Sequence, residues 1–269
     1  MKFAFSTLGC PNWSWKEIFA TAKDMKIDGI EIRGVGSEMY APRIPELSPE
    51  QAPETLRSLK EAGLEIPTLT SGAVIGMPER LESGMQEAKD YLELAGRLKV
   101  PYVRIMISPQ PQPEAVDLEM AKKAYLELVD FAKAHGTCAL IETNGVLADS
   151  TTMARFMEGT DPQAAGVLWD FHHPYRFCNE TPEVTFRNIG KYVKYTHVKD
   201  SVYHDGKVVY RMMGYGDLPV FDILKLLKDN GYDGFITLEW VKRWNQELQE
   251  PGIVFYHYNT YMNYLMEQL

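Results

Sequence analysis

Apolar strand-like runs alternate with helix-like ones eight times along the chain, and this alternation constrains the fold more than any other feature. The runs are Lys2–Ser6, Gly29–Arg33, Glu65–Thr70, Tyr102–Met106, Cys138–Glu142, Gly166–Asp170, Val193–His197 and Gly234–Glu239. Helix signals lie between them. Ser14 caps a helix running to about Met25, and Ser48-Pro-Glu-Gln51 starts another that ends at Gly63. A long helix covers about Glu79 to Leu98. Asp117 caps one with Met120, Ala124, Leu128 and Phe131 at helical spacing, stopped by Gly136. Shorter helices are predicted over Thr151–Met157, after Thr181-Pro-Glu183, and over Leu218–Asn230. A tail from Ile253 to Leu269, rich in Tyr and Met, reads as helical. Strands joined by crossover helices pair in parallel, and eight such units in about 250 residues match a closed α/β barrel. The expectation is a (β/α)8 TIM barrel, one domain spanning residues 1–269. A doubly wound open sheet is the alternative.

Four successive strands end on residues that an apolar strand has no reason to carry. Cys138-Ala-Leu-Ile-Glu-Thr-Asn144 ends near Glu142. Gly166-Val-Leu-Trp-Asp-Phe-His-His-Pro174 breaks from apolar residues into Asp170, His172 and His173. Val193-Lys-Tyr-Thr-His-Val-Lys-Asp200 brings His197, and Gly234-Phe-Ile-Thr-Leu-Glu-Trp240 brings Glu239. In a barrel of this kind the active site sits at the C-terminal ends of the strands. Glu142, Asp170, His197 and Glu239 are therefore expected to converge as the ligands of one divalent cation. Three carboxylates and one imidazole suit Mn²⁺, Mg²⁺ or Co²⁺, with Zn²⁺ more often taking softer sets. Without a cation the clustered carboxylates would repel and raise one another's pKa values. Taken singly, each residue reads as a surface or core group; their equivalent positions on consecutive strands carry the argument.

The formal net charge of -9 excludes an electrostatic grip on nucleic acid, which needs clustered Lys and Arg. Cys10, Cys138 and Cys178 have no paired spacing, which fits a reducing cytoplasm rather than a disulfide framework. No apolar run reaches the roughly 18 residues of a membrane span.

The chain resembles the xylose isomerase-like TIM barrel superfamily, the sugar phosphate isomerase/epimerase group, over nearly its whole length. The resemblance rests on Leu140-Ile-Glu-Thr143, Trp169-Asp-Phe-His-His173, Thr196-His-Val-Lys-Asp200, Gly214-Tyr-Gly-Asp-Leu-Pro219 and Gly231-Tyr-Asp-Gly-Phe-Ile-Thr-Leu-Glu239. It implies a single metal, Mn²⁺ first, on Glu142, Asp170, His197 and Glu239. It also implies that Glu142 and Glu239 are the catalytic proton-transfer pair and that His173 touches substrate. Relatives are often dimers or tetramers, so a homo-oligomer is expected. The epimerases of the group carry an Arg six residues beyond the metal His, where this chain has Tyr203.

The chemistry agrees with that implication. Removing a proton beside a carbonyl builds charge on oxygen, which a cation stabilises as an enediolate while carboxylates move the proton. Proton return to the adjacent carbon isomerises a sugar, return to the opposite face epimerises it, and loss of a β-hydroxyl dehydrates it. The expected function is thus a divalent-metal-dependent sugar or sugar phosphate isomerase or epimerase with a small carbohydrate substrate. A lyase of the same barrel group, of the inosose or dehydroshikimate dehydratase type or a C-glycoside-cleaving subunit, is the alternative. Lys199 shares the strand parity of His197 and is a candidate for binding a substrate oxygen, with a rim salt bridge as the competing reading. Arg211, in a predicted loop before Gly214, is a candidate for a substrate hydroxyl or phosphate, with a solvated cation as the competing reading. An apurinic-site endonuclease would need histidines on early strands, and none precedes His135.

Overall fold

The computed structural model describes residues 1–269 and is a single TIM barrel. Parallel strands β1 (Lys2–Ser6), β2 (Gly29–Glu31), β3 (Thr68–Val74), β4 (Tyr102–Met106), β5 (Cys138–Glu142), β6 (Ala165–Asp170), β7 (Val193–Val198) and β10 (Phe235–Leu238) form one eight-stranded sheet. Its order is β2-β1-β10-β7-β6-β5-β4-β3. Bridges between Gly29 and Glu65 and between Ile32 and Leu69 join the two edges and close the barrel.

Helices α1 (Trp15–Met25), α2 (Ala52–Glu61), α3 (Pro78–Leu98), α4 (Leu118–Ala134), α5 (Ser150–Met157), α7 (Pro182–Ile189), α8 (Val220–Asp229) and α9 (Pro251–Gln268) cover the outside. Their starts follow local chemistry. The Ser14 hydroxyl accepts from the Glu17 N–H while the Glu17 side chain accepts from the Ser14 N–H, and the Asp117 carboxylate accepts from the Met120 N–H. The main apolar core, a cluster of 62 buried residues, lies between this helical coat and the strands. The C-terminal tail belongs to it: Phe255 of α9 stacks on Phe5 of β1 at 4.2 Å, and the Tyr258 hydroxyl donates to the Ile236 carbonyl at 2.6 Å.

A smaller apolar cluster of Ala4, Cys138, Leu140, Leu168, Tyr195 and Phe235 fills the lower barrel. Side chains alternate sides along a strand. Two residues above Leu140, Leu168 and Tyr195, the same inward face therefore carries Glu142, Asp170 and His197. The apolar plug is the floor of the site, and the polar residues are the next layer up.

Several predicted boundaries shift. Ser48 caps a turn that precedes α2, its hydroxyl accepting from the Gln51 N–H at 3.3 Å and its carbonyl from the Ala52 N–H, and the helix proper begins at Ala52. The third strand starts at Thr68, after Pro67, whose missing N–H cannot join a ladder, and runs to Val74. The polar burst after Asp170 is no strand end: His172 and His173 open a short helix, α6 (His172–Phe177).

The stretch after His197, read as strand end and loop, contains an antiparallel hairpin, β8 (Asp200–His204) and β9 (Lys207–Arg211). It turns at Asp205 and Gly206, both at positive φ (49° and 73°), as two-residue hairpin turns require. Buried Asp200 anchors it by accepting from the N–H groups of Ser201, Gly214, Gly216 and Leu218 at 2.8–3.2 Å. Gly216 must be glycine, because a Cβ there would lie 2.0 Å from the Asp200 carboxylate. Asp200→Asn puts an amide NH₂ against backbone donors and removes charge-assisted bonds. Its expected cost is about 2–3 kcal/mol in urea unfolding. An unchanged unfolding midpoint would contradict this account of the anchor.

Candidate metal and active site

Glu142, Asp170, His197 and Glu239 come together at the C-terminal mouth, all buried, with one ligand atom of each within 4.8 Å of the others. They arrive from β5, β6, β7 and the residue just after β10, four neighbours in the sheet. His197 Nδ1 faces the carboxylates, 3.4 Å from Glu239 Oε1, 3.8 Å from Glu142 Oε1 and 4.0 Å from Asp170 Oδ2. It is buried and has no hydrogen-bond partner. The other ring nitrogen, Nε2, lies 2.7 Å from Glu31 Oε2 on β2. A hydrogen on Nε2 donated to Glu31 leaves the Nδ1 lone pair aimed at the cluster, the second-layer arrangement that orients metal-binding imidazoles.

Fixed charges surround the cluster. Arg104 Nη1 on β4 lies 3.1 Å from Glu142 Oε2. Lys199 Nζ, just above His197, pairs with Asp170 Oδ2 and sits 2.7 Å from Glu239 Oε2. Four buried carboxylates, Glu31, Glu142, Asp170 and Glu239, thus face two buried cations, Arg104 and Lys199, leaving two negative charges. A divalent cation with neutral His197 balances that count. The unpartnered Nδ1, the oxygen-rich donors and the charge deficit all fit such an ion.

Burial pushes the Glu142 carboxyl up, yet Arg104 and His197 hold it well below the usual range. Burial is likewise outweighed at Glu239, which Lys199 and His197 hold at about 2. Lys199 keeps its charge, since Asp170 and Glu239 outweigh the burial that would strip it. At His197 burial opposes protonation, but Glu31 and Glu239 raise its proton affinity well above that of free imidazole; a proton and a metal ion compete for the same lone pair. Burial lowers the pKa of His173, whose Nδ1–H donates to the Thr143 carbonyl at 3.0 Å. Its Nε2 lies 3.5 Å from Asp170 Oδ2.

A cavity of about 620 Å³ opens over this cluster, within the size range of small-molecule sites. His173, Lys199, Glu142 and Glu239 line it, as does Tyr210 from the hairpin. Arg211, a substrate-binding candidate, is not part of the lining: it ends β9 beyond Tyr210, and its guanidinium donates to the Tyr210 carbonyl at 3.3 Å. The cavity's guanidinium groups are Arg33, Arg80 and Arg104 instead. Glu31 and Arg104 carry contacts that the strand-end reading missed: Glu31 pairs with His197 and Arg104 with Glu142. Strand parity could have found both. Arg104 shares a face with Tyr102, and Glu31 shares one with Gly29, so each is a charge aimed inward from an apolar strand.

Fold and site together define a TIM barrel whose mouth gathers a buried group of three carboxylates and one imidazole that could hold a cation. The sequence profile of the xylose isomerase-like TIM barrel family matches residues 19–254, and the chain belongs to that family. No curated protein sequence matches it significantly. Three solved structures show how widely the fold is shared. The probable 3-DHS dehydratase AsbF of Bacillus anthracis superposes with a TM-score of 0.79 at 16% identity, covering 98% of this chain and 99% of its own. The IOLI protein with a bound zinc atom gives 0.79 at 16% identity, covering 100% and 99%. D-psicose 3-epimerase of Clostridium cellulolyticum H10, solved with D-tagatose, gives 0.77 at 17% identity, covering 99% of both chains. No helix is long and apolar enough to cross a membrane.

Proposed function

We propose that the protein is a divalent-cation-dependent isomerase or epimerase of a small carbohydrate, with Glu142, Asp170, His197 and Glu239 holding the ion. The observation that carries this reading is His197 Nδ1, buried and unpartnered among three carboxylates while Nε2 is engaged by Glu31. A bound cation supplies a Lewis acid that polarises a substrate carbonyl and favours negative charge on its oxygen.

The protein's own groups do the rest. Glu142 and Glu239 approach from the two ends of the arc β5-β6-β7-β10. That separation lets one carboxylate work on each side of a sugar carbon. Glu142 Oε2 is engaged by Arg104, which leaves Oε1 toward the cluster; Glu239 Oε2 is engaged by Lys199, which leaves Oε1. Both acids are held ionised at neutral pH, the state a proton acceptor needs. His173, neutral and fixed through Thr143, and Lys199, charged, are placed to bind substrate oxygens. The hairpin shields the site through Tyr210, which stacks on His172 at 5.5 Å.

The relatives named above include an epimerase and a dehydratase on the same fold, so a lyase is the second reading. Lys199 favours keeping it: a buried, charged ammonium beside the cluster can donate a hydrogen bond to a departing hydroxyl and stabilise the charge it develops. One experiment separates the readings. Mn²⁺-loaded protein is incubated in deuterated water with a panel of ketoses, ketose phosphates and keto acids. An isomerase or epimerase incorporates solvent deuterium at one carbon, whereas a lyase yields a product lacking water. Excess chelator is expected to abolish either signal, and Mn²⁺ or Co²⁺ to restore it. Turnover that persists without any divalent ion would end the proposal.

A further inference from the structure

The cavity has two electrically different walls. The acidic wall comes from β5, β6, β7 and β10. The opposite wall, from β2, the start of α3 and β4, carries Arg33, Arg80 and Arg104. β2, β3 and β4 are consecutive around the closed barrel, and the segments after β2 and β3 bring Arg33 and Arg80 to the same cavity as Arg104 of β4, one basic arc. Arg104 and Lys199 already pair with the acidic wall; Arg33 and Arg80 do not.

Arg33 lies two residues beyond the end of β2, and its guanidinium makes only a long bond, Nη1 to the Met39 carbonyl at 3.4 Å. Burial and the neighbouring Arg104 both press it toward its neutral form. Tyr91, Glu87 and Glu239 offer partial relief, but neither acid makes an ion pair with Arg33, and Glu87 Oε1 accepts from the Gly72 N–H at 2.5 Å. Buried Arg104 has an Nε with no partner. Arg80 stands exposed at the rim without an ion pair. A neutral sugar would leave these donors unanswered, while an oxyanion accepts from guanidinium forks in pairs.

We infer that Arg33 and Arg80, with the free edge of Arg104, form a subsite for an anionic group, a carboxylate or a phosphate ester, borne by the substrate away from the reacting carbon. This rests on the proposed function for which end of the cavity reacts. The substrate class is then a sugar acid or sugar phosphate rather than a free sugar. Gln110 and Gln112, on the same lining, supply neutral amides beside the arc.

Binding calorimetry on the Mn²⁺-loaded protein tests the inference, with D-glucose, D-glucuronate and D-glucose 6-phosphate as probes. At least one anionic probe is expected to bind roughly tenfold or more tightly than the neutral sugar, with a preference that weakens as salt rises. Comparison of the two anions identifies which oxyanion the arc takes. Arg33→Met should erase most of the preference, read as the ratio of anion to glucose affinity in the same variant. Arg80→Gln, at an exposed position that cannot unfold the barrel, should reduce it severalfold. Equal affinity for all three probes, or a preference indifferent to Arg80→Gln and Arg33→Met, would overturn the subsite. Metal content measured on the same samples keeps the two proposals apart. An anion preference without bound metal would spare the subsite and defeat the metal reading, and the converse result would do the reverse.

Discussion

Glu239→Gln is expected to reduce turnover by about 10³-fold while the barrel stays folded. The amide keeps an oxygen that can face the cluster but cannot take a proton from carbon. It also hands Lys199 a neutral partner in place of a carboxylate 2.7 Å away, so the ammonium leans more heavily on Asp170. Cation affinity should fall less steeply than turnover, since three donors of the cluster remain. Single-turnover rates and metal content, measured on one preparation, check the two effects separately. Deuterium exchange at the wild-type rate in this variant would remove Glu239 from the proton-transfer pair.

Lys199→Met is expected to give the largest change in stability, and its size should depend on the ion. Lys199 is a fully buried ammonium between Asp170 and Glu239. Removing one partner of a buried charge network costs about 3–5 kcal/mol because the remaining charges are left uncompensated. In chelator the variant should show that full loss. With saturating Mn²⁺ the ion offsets the same carboxylates, and much of the loss should vanish. Urea unfolding under both conditions reads the difference. An identical loss with and without the ion would mean that Asp170 and Glu239 do not share it.

What could be read from the sequence was whatever repeats with a period. Alternation along Cys138–Glu142 and its counterparts gave the strands, and the convergence of Glu142, Asp170, His197 and Glu239 followed from barrel geometry alone. Solitary features were harder to see. Glu31 and Arg104 each sit within one short strand and repeat nowhere; curvature of the closed sheet brings Glu31 against His197, while Arg104 meets Glu142 on the neighbouring β5. The hairpin after Lys199 was hidden because His-Asp-Gly-Lys is equally a loop signal. What makes it a hairpin is the Asp200 anchor to Gly214, Gly216 and Leu218, far along the chain. Arg211, expected in a loop, ends the second strand of that hairpin instead.

The bond from Glu31 to His197 also bears on the order in which the molecule can mature. The candidate donors to the ion all come from the second half of the polypeptide, yet the imidazole takes its working tautomer from an acid near the beginning. Glu239, the last of the four, lies far along the chain from Glu31. The early strands can fold first and wait, but a C-terminal fragment expressed alone would hold every donor and lack the group that sets one of them.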